Sequence, residues 1–249
     1  MLNGKILGDL KVSIFFFHCP KTGGTALTSI LRKMYSDQEI CPIIENNKPQ
    51  HEIMSGNYRH YLNYKFYHGH YGKDIFCAVN HEHMAITSFR HPVSRIISLY
   101  NYFNSITIPE GEDEKVYYAV KTAQSVPFEE FIALRSEEIS VYTENQQYRM
   151  LTNSPWSMEY KGSVSEAYSL IDNMPWYYIC EYYELSVLFA KQHFIQTLSE
   201  IPRLNMTPSG KREKRIHEID ESTLRIIHDR NTEDMEIYRY SVVRLFDKI

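Results

Sequence analysis

A segment near the start of the chain carries residue types that bind anions. Residues 18–25, with the sequence HCPKTGGT, combine a lysine, two threonines and two adjacent glycines. Backbone N–H groups at a helix N-terminus bind anions, and glycines let the backbone approach the anion closely. The segment therefore predicts a phosphate or sulfate site with the ligands Lys21, Thr22, Gly23, Gly24 and Thr25. A plain strand–helix turn is the alternative, since the lysine of a Walker A loop follows the second glycine and here it precedes both.

A second segment also joins a predicted strand to a predicted helix. Residues 88–98, SFRHPVSRIIS, run from a predicted strand into a helix that begins at a proline. Arg90 lies at the strand end, where its guanidinium can contact two phosphate oxygens, and Ser98 lies a little over two helical turns further on. An arginine at a helix start is by itself more often a surface residue. The carboxyl ends of parallel strands, however, meet at one edge of a sheet, so the two segments together predict two neighbouring anion sites.

The two segments resemble the motifs of a known family. PKTGGT and RHPVSRIIS are similar to the 5′-phosphosulfate and 3′-phosphate motifs of sulfotransferases that use 3′-phosphoadenosine 5′-phosphosulfate (PAPS). Residues 66–70, FYHGH, make the resemblance closest to the carbohydrate 2-O-sulfotransferase branch, and weaker similarity covers residues 176–189 and 203–212. The resemblance implies a P-loop-like fold, PAPS as the co-substrate, no metal, and an acceptor hydroxyl on a glycan or glycoconjugate.

The same resemblance implies roles for individual residues. The family's two HGH histidines are proposed acceptor bases and map onto His68 and His70. Imidazole suits a general base because its ordinary pKa lies near working pH, and two residues that are two apart on a strand point to one face. We expect His70 to be the base, His68 its partner, and Lys21 to stabilise charge on the leaving phosphate. Thr207 and Lys211 are expected to close over the nucleotide.

Regular elements must hold these residues in place. Apolar and β-branched runs predict strands, and apolar positions at helical spacing predict helices. The predicted strands cover residues 12–18, 65–71, 75–79, 84–89 and 176–180. The predicted helices begin at residues 25 and 92 and then cover 115–124, 127–135, 143–152, 164–173, 182–198, 220–229 and 231–247. Strands that alternate with helices indicate a three-layer α/β fold with a central, mostly parallel sheet flanked by helices, and we expect residues 1–249 to form one domain.

Composition narrows the class of protein. The 249 residues include 27 Lys and Arg against 31 Asp and Glu, so the formal net charge of −4 does not favour nucleic-acid binding. A membrane-spanning helix needs about 20 apolar residues, and the sequence contains no such run. It also lacks the pattern of a secretory signal, so we expect a cytoplasmic protein. The spacing of the four cysteines does not suggest a metal site.

Two other functions remain open at this point. A P-loop kinase for small molecules needs a magnesium ligand, for which Thr22 is available, and an aspartate at a strand end, for which there is no convincing candidate. A nucleotide- or glycan-binding module without catalysis is the other alternative, against which His68, His70 and Lys21 argue. Residues 144–149 fit an acceptor-side stretch and the polar face of a helix equally well. The sequence does not indicate an oligomeric state.

Overall fold

A parallel sheet of four strands forms the centre of the protein. The computed structural model describes residues 12–42, 61–79, 82–111, 117–194 and 214–249. The strands are β1 (Ile14–Phe17), β2 (Phe66–Gly69), β3 (Met84–Phe89) and β4 (Tyr177–Ile179). Their order in the sheet is β2-β1-β3-β4, and every pairing is parallel. The predicted α/β class with a parallel sheet is therefore confirmed.

Helices cover both faces of this sheet. On one face Phe66 stacks against Tyr35, with ring centroids 5.2 Å apart. Tyr35 follows helix α1 (Gly24–Leu31) in the chain. On the other face Phe15 packs against Phe76 of helix α2 (Lys73–Val79) at 5.1 Å. Because successive side chains of a strand point to opposite faces, the apolar run of β1, one isoleucine and three phenylalanines, is buried on both sides. This burial gives the three layers that the sequence predicts.

The remaining helices follow β3 and β4 along the chain. In order they are α3 (Pro92–Ser105), α4 (Tyr118–Ser125), α5 (Phe128–Ala133), α6 (Glu137–Thr143), α7 (Gln146–Thr152), α8 (Val164–Asn173), α9 (Tyr183–His193), α10 (Glu221–Asp229) and α11 (Thr232–Lys248). A second apolar cluster forms between α3, α4, α5 and α10, beside the core of the sheet. No helix in the described part of the chain is long and apolar enough to cross a membrane.

One predicted strand is wrong. Residues 75–79 belong to helix α2. The buried residues Ile75 and Val79 are four apart, and Cys77 between them is exposed, which is the spacing of a helix face rather than of a strand. The run is apolar and short, and in such runs the two patterns are hard to tell apart.

One predicted helix is two helices. The sequence predicts a single helix over residues 143–152, whereas α6 ends at Thr143 and α7 begins at Gln146. Asn145 between them has a φ of 46°, in the left-handed region that ends a helix. Its backbone N–H donates to Asn231 Oδ1 at 2.9 Å, and its side-chain oxygen accepts from the N–H of Asp234 at 3.0 Å. Contacts with the start of α11, which are distant in sequence, therefore fix the break.

Candidate functional site

The loop between β1 and α1 has the shape of an anion cradle. Gly23 has a φ of 81°, and a Cβ there would lie 3.1 Å from a ring carbon of Tyr178. A Cβ on Gly24 would lie only 2.0 Å from the His18 ring, so a side chain at this position would displace the imidazole. The N–H groups of Gly24 and Thr25, at the start of α1, have no partner within the helix. Both glycines are therefore required for the close packing of this loop around the helix N-terminus.

The Thr22 side chain makes its hydrogen bonds inside the protein and does not face solvent. The side chain is fully buried, and its hydroxyl donates to the carbonyl of Cys19 at 2.7 Å. Ser88 of β3 then donates to Thr22 Oγ1 at 2.6 Å, because that threonine proton is already used. Thr25, in contrast, is exposed in the first turn of α1. Thr22 therefore attaches the loop to β3, whereas Thr25 faces solvent.

Lys21 and Arg90 lie together at the end of the sheet. Nη1 of Arg90 donates to the carbonyl of Lys21 at 3.3 Å, and Nζ of Lys21 lies 4.0 Å above the ring centroid of Tyr102. Burial, with the positive charge of Arg90 as the smaller cause, lowers the pKa of Lys21 to about 8. The two predicted anion-binding segments are therefore brought side by side, because β1 and β3 are neighbours in the sheet.

Ser98 faces the same region from helix α3. Ser98 precedes Tyr102 by four residues on α3, so both side chains lie on one side of that helix. Tyr102 contacts Lys21, which places this side of α3 over the loop. Ser98 is half-buried there. Thr207 and Lys211, the other predicted nucleotide ligands, lie outside the described residues.

Gln147 holds Arg90 and is a residue that sequence reasoning missed. Its Oε1 accepts from the backbone N–H of Arg90 at 2.9 Å, and its Nε2 donates to the carbonyl of the same residue at 3.0 Å. The buried carboxylate of Asp234 in turn accepts from the backbone N–H of Gln147 at 3.3 Å. Residues 145–149 are all buried, so this segment is an internal polar scaffold. Nothing in the sequence pattern indicates which amide would reach Arg90.

His70 follows the last residue of β2, and its ring orientation is fixed. Its Nδ1 lies 2.7 Å from the carbonyl oxygen of His18. A carbonyl only accepts hydrogen bonds, so the neutral ring carries its proton on Nδ1 and has its lone pair on Nε2. Nε1 of Trp156 donates to the carbonyl of His70 at 3.0 Å, and the two rings are 5.9 Å apart. Burial lowers the pKa of His70, which favours this neutral tautomer.

His18 is a second histidine that the sequence did not single out. Its ring centroid lies 4.8 Å from that of His70, and it stacks on Phe16 at 5.3 Å. Burial, followed by the charge of His70, holds the pKa of His18 well below its ordinary value. The signal that points to His18 is its position directly after β1, because the ends of adjacent parallel strands lie side by side.

His68 lies within β2, two residues before His70, and contacts Phe66 and Arg32. It is 1% exposed, its ring stacks on Phe66, and its Nε2 lies 3.5 Å from Nη1 of Arg32. Its Nδ1 is buried and has no hydrogen-bond partner among the described residues. Burial, and then the charge of Arg32, lowers the pKa of His68 to about 4. The structure therefore brings His70 together with His18 and Trp156, and places His68 beneath Arg32.

Comparison with known proteins identifies the family. The family model for sulfotransferases matches residues 6–241. The chain belongs to the sulfotransferase family. Among curated proteins no match to the chain is found. Sulfotransferases transfer a sulfuryl group to a hydroxyl-bearing acceptor, and they generally use PAPS as the donor.

The cradle of this sulfotransferase fits an anionic donor. The glycine loop leads into the N-terminus of α1, and Lys21 and Arg90 supply positive charge beside it, from the loop and from the end of β3. In the described part of the chain, no three His, Cys, Asp or Glu side chains are grouped so that they could hold a metal ion. The positive charges of Lys21 and Arg90 suit this site to phosphate and sulfate oxygens.

The buried imidazole of His68 predicts a loss of stability in acid. Its folded pKa of about 4 lies below the ordinary 6.5, so below pH 6.5 the unfolded chain binds a proton that the folded chain does not. From pH 7 to pH 5 this difference costs about 2 kcal/mol of unfolding free energy. His68→Phe should remove that part of the acid sensitivity, as measured by urea unfolding at the two pH values.

His217→Gln provides the control for this measurement, because His217 is exposed. It should lose as much stability between pH 7 and pH 5 as the unchanged protein. Equal losses for His68→Phe and the unchanged protein would contradict the role given to His68.

Proposed function

We propose that this protein transfers the sulfuryl group of PAPS to the hydroxyl of a carbohydrate acceptor. The observation that carries the proposal is the hydrogen bond from Arg90 to the carbonyl of Lys21, which joins the two predicted anion-binding segments. A donor with a phosphosulfate at one end and a 3′-phosphate at the other needs two such neighbouring cradles. We further propose that residues 1–249 form a single sulfotransferase domain.

The two ends of the donor are assigned to different elements. The phosphosulfate is proposed to bind the N–H groups of residues 23–25 at the start of α1, together with Lys21. Arg90 and Ser98 are proposed to bind the 3′-phosphate, and Gln147 keeps the backbone of Arg90 in place. Contact with that phosphate separates PAPS from nucleotides that lack it. Thr207 and Lys211 remain proposed as further nucleotide ligands on the strength of the family resemblance.

The chemical step needs one base and one site of positive charge. PAPS supplies an activated sulfuryl group. The acceptor oxygen forms a bond to sulfur as the bond from sulfur to the bridging phosphate oxygen breaks, and the hydroxyl proton goes to Nε2 of His70. The products are a sulfate ester and 3′-phosphoadenosine 5′-phosphate. Lys21 and the loop N–H groups stabilise the charge that develops on the leaving phosphate.

The tautomer of His70 supports its role as the base. With Nδ1–H donated to the carbonyl of His18, the lone pair lies on Nε2 and protonation there gives an imidazolium that keeps this hydrogen bond. We propose His68 as the partner of His70. Its ring is buried beneath Arg32, so it would act on His70 indirectly, through the backbone of β2. Trp156 adds a partly exposed aromatic ring beside His70, which supports an acceptor with an apolar ring face such as a sugar.

The contact between Thr22 and Ser88 bears on the kinase alternative. A P-loop kinase needs a carboxylate at a strand end to hold magnesium near the loop hydroxyl. Here the strand residue that meets the Thr22 hydroxyl is Ser88, a neutral donor. This residue choice favours transfer of a sulfuryl group over transfer of a phosphoryl group.

Binding of product nucleotide tests the donor assignment. The protein should bind 3′-phosphoadenosine 5′-phosphate roughly 10- to 100-fold more tightly than AMP, because a charged hydrogen bond contributes about 1.5–3 kcal/mol. Arg90→Gln should bring the two affinities together in calorimetric titrations. Lys161→Gln, a change of an exposed lysine paired with Glu159, should leave the ratio unchanged. Equal affinities in the unchanged protein would refute the two-cradle assignment.

Incubation with PAPS and a panel of sugar acceptors tests the base. His70→Ala should lower kcat at least about 100-fold, the range of general-base catalysis, while the Kd for 3′-phosphoadenosine 5′-phosphate stays within about twofold. His217→Ala, at an exposed position, serves as the matched control and should keep full turnover. Turnover of His70→Ala within a few-fold of normal would remove His70 from the mechanism.

The low pKa of Lys21 predicts proton uptake on nucleotide binding. At pH 8.5 much of Lys21 is neutral, since its pKa is about 8. A phosphate beside it raises that pKa, so binding of 3′-phosphoadenosine 5′-phosphate should take up a large fraction of one proton at pH 8.5 and much less at pH 6.5. Calorimetry in Tris and in bicine, which differ in ionisation enthalpy, measures the uptake.

Lys21→Arg is the matched variant, because a guanidinium stays protonated at both pH values. It should bind the nucleotide without proton uptake at pH 8.5. Uptake that persists in this variant would show that another group, and not Lys21, meets the phosphate.

A further inference from the structure

An open cavity lies on the other side of Arg90 from the glycine loop. It has a volume of about 360 Å³ and lies between the start of α3 and the helices α10 and α11. The side chains of Arg90 and His91 diverge, since Arg90 contacts Lys21 while the His91 ring packs against Tyr238 at 5.3 Å. Val93, which also lines the cavity, lies about 140° around α3 from Ser98. This cavity, the His91 cavity, is therefore separate from the proposed donor site.

Basic side chains dominate the wall of the His91 cavity. His91, Arg225, His228 and Arg239 line it, against a single carboxylate, Glu221. That carboxylate lies 3.8 Å from Arg225, which leaves Arg239 without an acidic partner within ion-pair distance among the described residues. The two guanidinium groups and the one carboxylate give the wall a formal charge of about +1.

The charges around His91 act on one another. Burial is the main cause that lowers the pKa of His91; the charge of Glu181 opposes it, and the charges of Arg239 and His228 lower the pKa further. Glu181 itself is occupied, since it accepts from the backbone N–H of His91 at 3.1 Å and from the hydroxyl of Tyr238 at 3.2 Å. Asp229 lies 3.8 Å from Nδ1 of His228 and is exposed. Each nearby carboxylate thus lies beside a basic or hydrogen-bond donor group, and four basic side chains line the cavity against one carboxylate.

Apolar side chains complete the lining. Val93, Leu224 and Met235 contribute to the cavity, and Val93 and Met235 are buried. A bare inorganic ion would meet only the basic side chains, whereas an organic anion also covers the apolar lining. Guanidinium groups match the oxygens of sulfate, phosphate and carboxylate.

We propose that the His91 cavity is a further binding site, which takes a small organic anion with a sulfate, phosphate or carboxylate group on an apolar body. Arg239 and Arg225 bind the oxygens, His91 and His228 strengthen binding when they are protonated, and the apolar side chains contact the body of the ligand. The site works independently of the cradle formed by Lys21 and Arg90, so a ligand here and a nucleotide there bind at the same time.

The test uses 2-naphthalenesulfonate as the probe and the neutral 2-naphthalenesulfonamide as its matched comparator. Both are titrated into the protein already saturated with 3′-phosphoadenosine 5′-phosphate, and the imidazole signals of His91 and His228 are followed by NMR. The sulfonate should shift both signals and raise both pKa values, and it should bind at least about tenfold more tightly than the sulfonamide. Inorganic sulfate, run in parallel, should bind more weakly than the sulfonate.

Two arginines on α11 provide the matched variants. Arg239→Gln should weaken sulfonate binding at least about tenfold, whereas Arg244→Gln, at a residue bonded to Asp172 at 2.8 Å, should leave it within about twofold. Equal binding to both variants would overturn the proposal. Failure of the sulfonate to shift either histidine would also overturn it, as would loss of binding when the nucleotide is present, since the sulfonate would then occupy the other site.

Discussion

The parallel pairing of β1 with both of its neighbours determines the arrangement of the site. β1 lies between β2 and β3, with Phe17 opposite Gly69 on one side and opposite Thr87 on the other. The residues that directly follow these strands are His18, His70 and Arg90. Their alignment at one edge places an imidazole pair on one side of the glycine loop and a guanidinium on the other. A shift of either strand by one residue would separate these groups and reverse their faces.

Burial sets the charge state of this edge. His18 and His70 are kept neutral by burial, and the pKa of Lys21 is lowered toward neutrality. An anion stabilises the protonated form of a partly desolvated basic group more strongly than that of a basic group in water. A neutral imidazole is also the form that accepts a proton. The same physical cause therefore leaves Lys21 suited to an anion and His70 able to accept a proton, as the proposed function requires.

A buried polar network supports this edge of the sheet through hydrogen bonds to the backbone of Arg90. Gln147 fixes both backbone groups of Arg90, and Asp234 fixes Gln147. Arg149, fully buried, donates to the carbonyls of Pro155 and Ser157 at 2.7 and 2.6 Å. Each of these groups would be costly to bury unpaired. The network orders the segment that leads to Trp156, so the supports of Arg90 and of His70 are parts of one scaffold.

The sequence predicted the fold class, the strand ends that glycine and proline mark, and a set of candidate anion ligands. Periodicity and the order of local motifs carry that information, because strand, loop and helix in each motif are consecutive in the chain. It did not distinguish the helix at 73–79 from a strand, since a short apolar run fits both. The folded molecule shows that His70 pairs with His18, that His68 is buried under Arg32, and that Gln147 reaches Arg90. Those contacts join residues 36 to 57 positions apart, and the packing of layers, which no local pattern encodes, brings them together.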